Sequence, residues 1–288
     1  MRRLNFELKQ LCRHNRDGSF ATRDLRERIL TQIANELHHL GFHHMNARSL
    51  RPKHITALVQ AWNERALALN TIKGRMAILR WWAEKVNRAS VVARSNDFYG
   101  IGRRTLVSNE SKACNFSDTQ LAAINDAHVR MSLELQRAFG LRREESLKFQ
   151  PAYADRGDHL LLKGSWAKGG KPRVIPVRNE EQRKLLDRAR RLAGHGSMIP
   201  PARSFHEQYR RYGSQTTYVG LSRLHGLRHR YAQLRYEELT GWPCPAADGP
   251  LSKTLSREQK ALDRRARLII SRELGHERES ITAVYCGR

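Results

Sequence analysis

The sequence predicts a mainly α-helical protein of two domains, with a small β-hairpin in the second. Three observations carry this. Apolar residues recur at helical spacing through most of the chain. That period is lost in a polar, glycine-bearing stretch at 100–115. Two short apolar runs, at 159–163 and 173–177, flank a glycine-rich turn. The 288 residues suit two domains of ordinary size, and 40% hydrophobic residues can supply a core to each.

Residues 1–100 read as a small helical bundle. Leu25, Ile29, Ile33 and Leu37 place a helix over 22–40, and Gly41 stops it. Ile55, Leu58, Val59 and Trp62 share one face of a helix over 51–68. Ile72, Met76, Leu79 and Ala83 do the same over 70–87. These stripes are core. The other faces carry Lys73, Arg75, Arg80 and Lys85, expected to form a basic outer surface. Residues 101–115 read as a linker, whose Arg103, Arg104 and Lys112 would suit a strap along a phosphate backbone.

The second domain spans 116–288. Ser117 and Gln120 fit a capping box, opening a helix that should run toward Gly140 with Leu121 and Ile124 on its apolar stripe. A short helix holds Glu144 to Phe149. The two hairpin strands follow, then a helix at 179–193 and a loop-rich stretch to about 220. Leu227, Tyr231 and Leu234 mark a helix at 225–240, ended by Gly241 and Pro243. Residues 242–254 hold three prolines and an Asp-Gly pair and read as a loop. A basic helix at 256–273 precedes a last helix with Ile281 and Val284 beside Tyr285.

Lys and Arg number 53 against 28 Asp and Glu, a formal net charge of +25. A polyanion is the expected partner, and nucleic acid leads, because Lys and Arg contacts to phosphate dominate such affinity. No segment approaches the roughly 18 apolar residues of a membrane span. Cysteines at 12, 114, 244 and 286 form no C-x-x-C pair and have no metal-ligand spacing with histidine. The start of the chain is broken by charge too early for a signal peptide. Reduced thiols in a cytoplasmic, nucleoid-associated protein are expected. His38, His39, His43 and His44 cluster, but acidic and cysteine ligands are absent nearby, so they read as a polar helix end and loop, with no metal.

Five short stretches share residue types suited to phosphate chemistry: Gly140-Leu141-Arg142, Ala167-Lys168-Gly169-Gly170-Lys171, His225-Gly226-Leu227-Arg228, Leu274-Gly275-His276, and Tyr285. Cleaving a phosphodiester needs a nucleophile, charge on the non-bridging oxygens and a proton for the leaving oxygen. No acidic cluster able to hold Mg²⁺ is evident, so arginines would supply the charge, their planar fork donating two hydrogen bonds to a phosphate. A tyrosine nucleophile would store the energy of the broken strand in a phosphotyrosyl bond, so rejoining needs neither ATP nor another cofactor.

These residues resemble the tyrosine recombinases, the phage-integrase and Xer superfamily that shares its chemistry with type IB topoisomerases. Residues 140–147 match the family's G-L-R-x-x-E-x-L box, which puts Arg142 at the first arginine and Glu145 at the bracing acid. Residues 167–176 match its hairpin, with Lys168 as the lysine. His225-Gly226-Leu227-Arg228 matches H-x-x-R, and Tyr285 follows His276 by the family's nine residues. The motifs span 117–288 in order. The first hundred residues resemble the family's helical, SAM-like core-binding domain in pattern only. Arg143 remains an alternative to Arg142, and Lys163 or Lys171 to Lys168.

The resemblance implies a site-specific recombinase. Tyr285 would form a 3′-phosphotyrosyl intermediate and free a 5′-hydroxyl. Arg142 and Arg228 would clamp the phosphate, and Lys168 would protonate the leaving oxygen. His225 would assist proton transfer, and His276 would hydrogen-bond the phosphate. It also implies double-stranded DNA with inverted half-sites, a tetramer on that DNA and accessory DNA-bending factors. Integration or excision of a mobile element is the expected task. A type IB-like topoisomerase and a non-catalytic DNA-binding descendant are the competing readings. Two departures stand out. His225 and His276 lie further apart than in compact members, and the extra length is expected in a surface loop at 241–258. Only Cys286, Gly287 and Arg288 follow Tyr285, so coupling of protomers through a longer tail is in doubt.

Overall fold

The computed structural model describes residues 2–103, 105, 107–167 and 169–288. The chain forms two compact units, Met1–Thr105 and Leu106–Arg288.

Four helices build the first unit. α1 (Arg3–His14) was not foreseen: its buried residues Leu4, Leu8 and Cys12 recur every four positions, hidden among charges on the other face. α2 (Phe20–His39) starts at Ser19, whose hydroxyl accepts from Thr22 N. Its buried stripe is Arg26, Leu30, Ile33, Ala34 and Leu37 rather than one through Leu25, which is 42% exposed. Arg26 replaces it because its guanidinium lies 4.1 Å from the Trp81 ring and pairs with Asp17 at 3.2 Å, so the stem can pack inward. α3 (Pro52–Glu64) and α4 (Leu69–Lys85) bury the residues the sequence assigned to their core faces. The fully buried Trp62 and Trp82 find acceptors in Glu36 Oε2 at 2.7 Å and Ala47 O at 2.8 Å.

Two of the basic residues expected on the outer surface are tied into the bundle instead. Arg75 donates to Glu36 at 2.9 Å and lies 5.2 Å from the Trp62 ring. Arg80 donates to Ala93 O at 3.1 Å and Asn96 Oδ1 at 2.7 Å. Both bind groups inside the unit. Arg103, by contrast, is 91% exposed. Arg104 lies outside the described residues.

The second unit opens with α5 (Asp118–Ala122), capped by Ser117 and Gln120. It does not run on to Gly140. Asp126 accepts from His128 N and Val129 N and starts a separate helix, α6 (Ala127–Phe139). Gly140 ends α6 at φ 61°, and a Cβ there would meet the Tyr231 ring at 2.6 Å. α7 (Arg143–Lys148) and α8 (Pro151–Ala154) lead to strand β1 (His159–Leu162), which pairs antiparallel with β2 (Arg173–Pro176), Leu160 opposite Ile175. α9 (Glu180–Ala193) follows.

α10 (Phe205–Tyr218) occupies the stretch expected to be loops. Its buried face is Gln208, Tyr212 and Thr216, a helical spacing written in polar residues. Then come α11 (Gly226–Thr240), α12 (Arg257–Glu273) and α13 (Glu279–Cys286). On α11, Leu234 is 50% exposed, not core; Ala232 and Tyr236 carry the stripe. The 241–258 loop is also not wholly on the surface. Cys244 and Ala246 are buried in the same core cluster as Tyr285 and Cys286. The four cysteines are unpaired by disulfide. Among the described residues no helix is long and apolar enough to cross a membrane, and no cluster could hold a metal ion.

Candidate active site

Five of the six residues expected to act on phosphate converge in the second unit. Arg142 is the N-cap of α7, where the chain leaves the left-handed turn at Gly140. Glu145, one turn on, accepts from Arg142 N and from Arg142 Nη1, each at 2.7 Å. Arg142 Nη2 then reaches His276 Nε2 at 3.4 Å. Arg228, on the first turn of α11, is 1% exposed. It donates to Gly140 O at 2.6 Å and to Leu274 O, and its Nε lies 3.3 Å from Tyr285 Oη. Arg228 thus takes a backbone carbonyl from each of two neighbouring motifs and Arg142 one, Leu274 O at 3.4 Å, which fixes their remaining N–H groups in direction.

The phenol of Tyr285 is ringed by imidazoles. His225 and His276 have ring centroids 6.2 Å from it, and His229 lies at 4.7 Å. Burial and the positive charge of Arg228 and Arg142 lower His276 to about 4. Burial, with His225, Lys112 and Arg228, lowers His229 to about 4 as well. His225, at the more open rim, is shifted in the same direction by partial desolvation and the same two arginines. Each shift favours the neutral imidazole at pH 7. Arg142 donates to His276 Nε2, which puts the neutral ring's proton on Nδ1.

Three contributors escaped the sequence reading. Arg173, from β2, grips both oxygens of Glu145, at 2.9 and 2.7 Å, and donates to Glu273 O at 2.9 Å. Burial pushes the Glu145 carboxyl up, but the Arg173 hydrogen bonds and the charges of Arg173, Arg228 and Arg142 outweigh it and hold it at about 2. Gln233 donates to Tyr285 O at 3.1 Å. His229 is the third. Arg173 lies inside the hairpin motif and His229 directly after His225-Gly226-Leu227-Arg228. Motif membership marked them, but neither has a signal separating it from an ordinary surface cation or core histidine.

The alternatives sort by position. Arg143 stacks 3.9 Å from the Tyr209 ring, away from Arg142's partners. Lys163 donates to Gln150 and lies 4.1 Å from the Tyr153 ring. Lys171 pairs with Glu277 at the edge of an open groove of about 300 Å³ that Arg142, Arg173 and His276 also line. Lys168 lies outside the described residues.

The family model described as "Phage integrase, N-terminal" matches residues 1–92, and the one described as "Integrase" matches residues 104–234. The chain belongs to the phage-integrase family of tyrosine recombinases. No curated protein matches it by sequence. Among solved structures, a lambda integrase dimer bound to a COC′ core site superposes with a TM-score of 0.67. It is 14% identical, over 99% of this chain and 78% of that one. The XerH site-specific recombinase bound to a palindromic difH substrate gives 0.59 at 16% identity, over 99% and 81%. The Tn1549 transposon integrase in complex with circular intermediate DNA gives 0.57 at 15% identity, over 100% and 96%. At these identities the superpositions establish a shared integrase fold: a SAM-like helical unit followed by a mixed unit with a two-stranded sheet.

Proposed function

We propose that this integrase cuts and rejoins DNA through a 3′-phosphotyrosyl intermediate. The observation that carries the reading is the Tyr285 hydroxyl lying 3.3 Å from Arg228 Nε inside a ring of three imidazoles. Tyr285 Oη attacks the scissile phosphorus, forming the P–Oη bond as the bond to the 5′-oxygen breaks. Its proton passes to an imidazole, a role assigned to His225, which stands at the exposed rim with its ring centroid 6.2 Å from that of Tyr285. Arg142 and Arg228 neutralise the charge that builds on the non-bridging oxygens, and His276 adds a hydrogen bond. The departing 5′-oxygen takes its proton from Lys168. Rejoining reverses each step, so no nucleotide cofactor enters the balance.

The substrate is double-stranded DNA with inverted half-sites, bound by a tetramer, with DNA-bending factors as accessories and integration or excision of a mobile element as the task. Support comes from the solved relatives, which include a lambda integrase tetramer bound to a Holliday junction, and from the net charge of +25.

Covalent capture tests it. Wild type and Tyr285→Phe are incubated with a randomised nicked duplex library in EDTA and denatured in SDS, and the DNA that stays attached is sequenced. Enrichment of one motif by wild type alone supports the reading. Capture without sequence preference favours a topoisomerase. Equal capture by both proteins removes Tyr285 as nucleophile.

A further inference from the structure

The segment 109–114, which leads into the catalytic unit, touches both of the elements that carry the reacting groups. Asn109 Nδ2 donates to Arg288 O at 3.0 Å, and Asn109 Oδ1 accepts from Arg288 N at 2.8 Å. That two-point bond holds the chain just beyond α13, three residues from the phenol. Arg288 is also tied back across α13 by a 3.3 Å contact to Glu279. Two residues on from Asn109, Ser111 Oγ donates to Gln233 Oε1 at 3.0 Å, and the amide of that same Gln233 donates to Tyr285 O at 3.1 Å. Cys114 N then donates to Gly226 O at 3.2 Å, beside His225. The fit there is tight: a Cβ on Gly226 would lie 2.6 Å from Lys112 O and 2.9 Å from Cys114 N.

We infer that residues 109–114 form a clasp that sets the distance between Tyr285 on α13 and His225 at the head of α11, with Asn109 and Ser111 as positioning residues. The inference rests on the strand-cleavage reading of the site. Neither side chain touches the phosphate-binding groups. Their hydrogen bonds end on the backbone at 285 and 288, directly or through Gln233, so they act on where the phenol stands rather than on its chemistry. α13 is eight residues long, and a helix that short holds its place through tertiary contacts rather than its own hydrogen bonds. Polar bonds at its C-terminal end come from this segment, from Gln233 and Arg267, from Glu279 at the start of α13 itself, and from Cys286 Sγ to Ala232 O at 3.7 Å. The clasp begins four residues after the boundary between the two units.

The variants are Asn109→Ala, Ser111→Ala and Asn109→Asp; the last keeps the acceptor for Arg288 N–H and replaces the donor by a charged carboxylate oxygen. Asn109 and Ser111 are exposed, so each variant should fold with a Tm within a few degrees of wild type. Hydrogen exchange on the free proteins should rise over 282–288 in Asn109→Ala and stay unchanged in α9. The second arm uses whatever DNA wild type captures covalently. In single turnover, adduct formation by Asn109→Ala should slow roughly tenfold, as misplacement of a reacting group does, with DNA affinity within twofold of wild type and Asn109→Asp in between. Unchanged exchange over 282–288 overturns the clasp. So does faster exchange with an unchanged adduct rate, which would leave these contacts purely structural. A wild type that forms no adduct at all defeats the strand-cleavage reading itself. A reacting wild type matched by an equally fast Asn109→Ala defeats the clasp alone.

Discussion

In the helical N-terminal unit the buried charges sit at the edge of an apolar core. Glu36, which anchors Trp62, Arg75 and Arg65, keeps 16% of its side chain exposed, and Arg26 reaches out to a half-exposed Asp17. In the catalytic unit they sit inside. Glu145 is fully enclosed between Arg142 and Arg173, Arg228 is 1% exposed, and Arg267 is enclosed against Asp263. A core of tryptophan and leucine needs only shape and area to stabilise it. Buried arginines must be satisfied one hydrogen bond at a time, and each arrangement that satisfies them also fixes where the unused donors point. The first unit is built to hold a surface; the second holds directions.

The comparison breaks first at Arg228. If its role is direction, Arg228→Lys keeps the charge but loses the fork. Adduct formation in single turnover should then fall about 10²–10³-fold while DNA affinity barely moves. An equal loss in affinity and rate would mean that Arg228 only attracts phosphate.

Stability separates the units next. Glu145→Gln leaves Arg173 and Arg142 with an uncompensated buried charge and should cost about 3–5 kcal/mol. Glu36→Gln removes a carboxylate with access to water and should cost about 1–2 kcal/mol. Urea unfolding with hydrogen exchange as a unit-resolved probe measures both. Equal costs would mean that the two networks are buried alike and the contrast is one of appearance.

Acid should divide them in the same order. Burial first, then neighbouring cationic groups (His225, Lys112 and Arg228 for His229; Arg228, Arg142 and Arg173 for His276), holds both rings at about 4. Burial, with Lys53 and Arg51, brings His54 in the first unit to about 4 too. An unfolded histidine titrates near 6.5. Between those values the unfolded chain binds protons that the folded one refuses, so stability is full above about 6.5 and drains as pH falls toward 4. With two such groups against one, and with His225 and His128 shifted the same way in the catalytic unit against His38 in the first, the catalytic unit should lose urea resistance faster between pH 7 and 5. A parallel decline would show that the three rings share one environment.

How far the sequence could be read follows from the same physics. Helices with apolar stripes, such as those at 52–64 and 69–85, were visible because period and burial coincide. α10 was missed because Gln208 and Thr216 share its buried face, and α1 because charge masks Leu4 and Leu8. Asp126 starting a new helix after α5 has ended at Ala122 is a cap signal that a continuous apolar pattern overrode. At the site, the motifs supplied Arg142, Glu145, His225, Arg228, His276 and Tyr285 as candidates. Arg173 could not be separated from other hairpin cations, since what distinguishes it is a carboxylate 28 residues away in sequence.

The smallest effect concerns the first unit's basic residues, where the sequence offered Lys73, Arg75 and Arg80 on the helix faces and Arg103 in the linker all as DNA contacts. They are not alike: Arg75 and Arg80 end on partners within the bundle, whereas Arg103 projects into solvent and Lys73 is partly open. A cation that neutralises a phosphate displaces a counterion, and its loss lowers the slope of log affinity against log salt by roughly 0.9. Arg103→Ala and Lys73→Ala should each show that change with an unaltered Tm. Arg75→Ala should keep the slope and lower the Tm, because it strips Glu36 and the Trp62 face of their cover. A reduced slope in Arg75→Ala would mean that its pairing with Glu36 is exchanged for phosphate on binding, and that the first unit, too, holds directions.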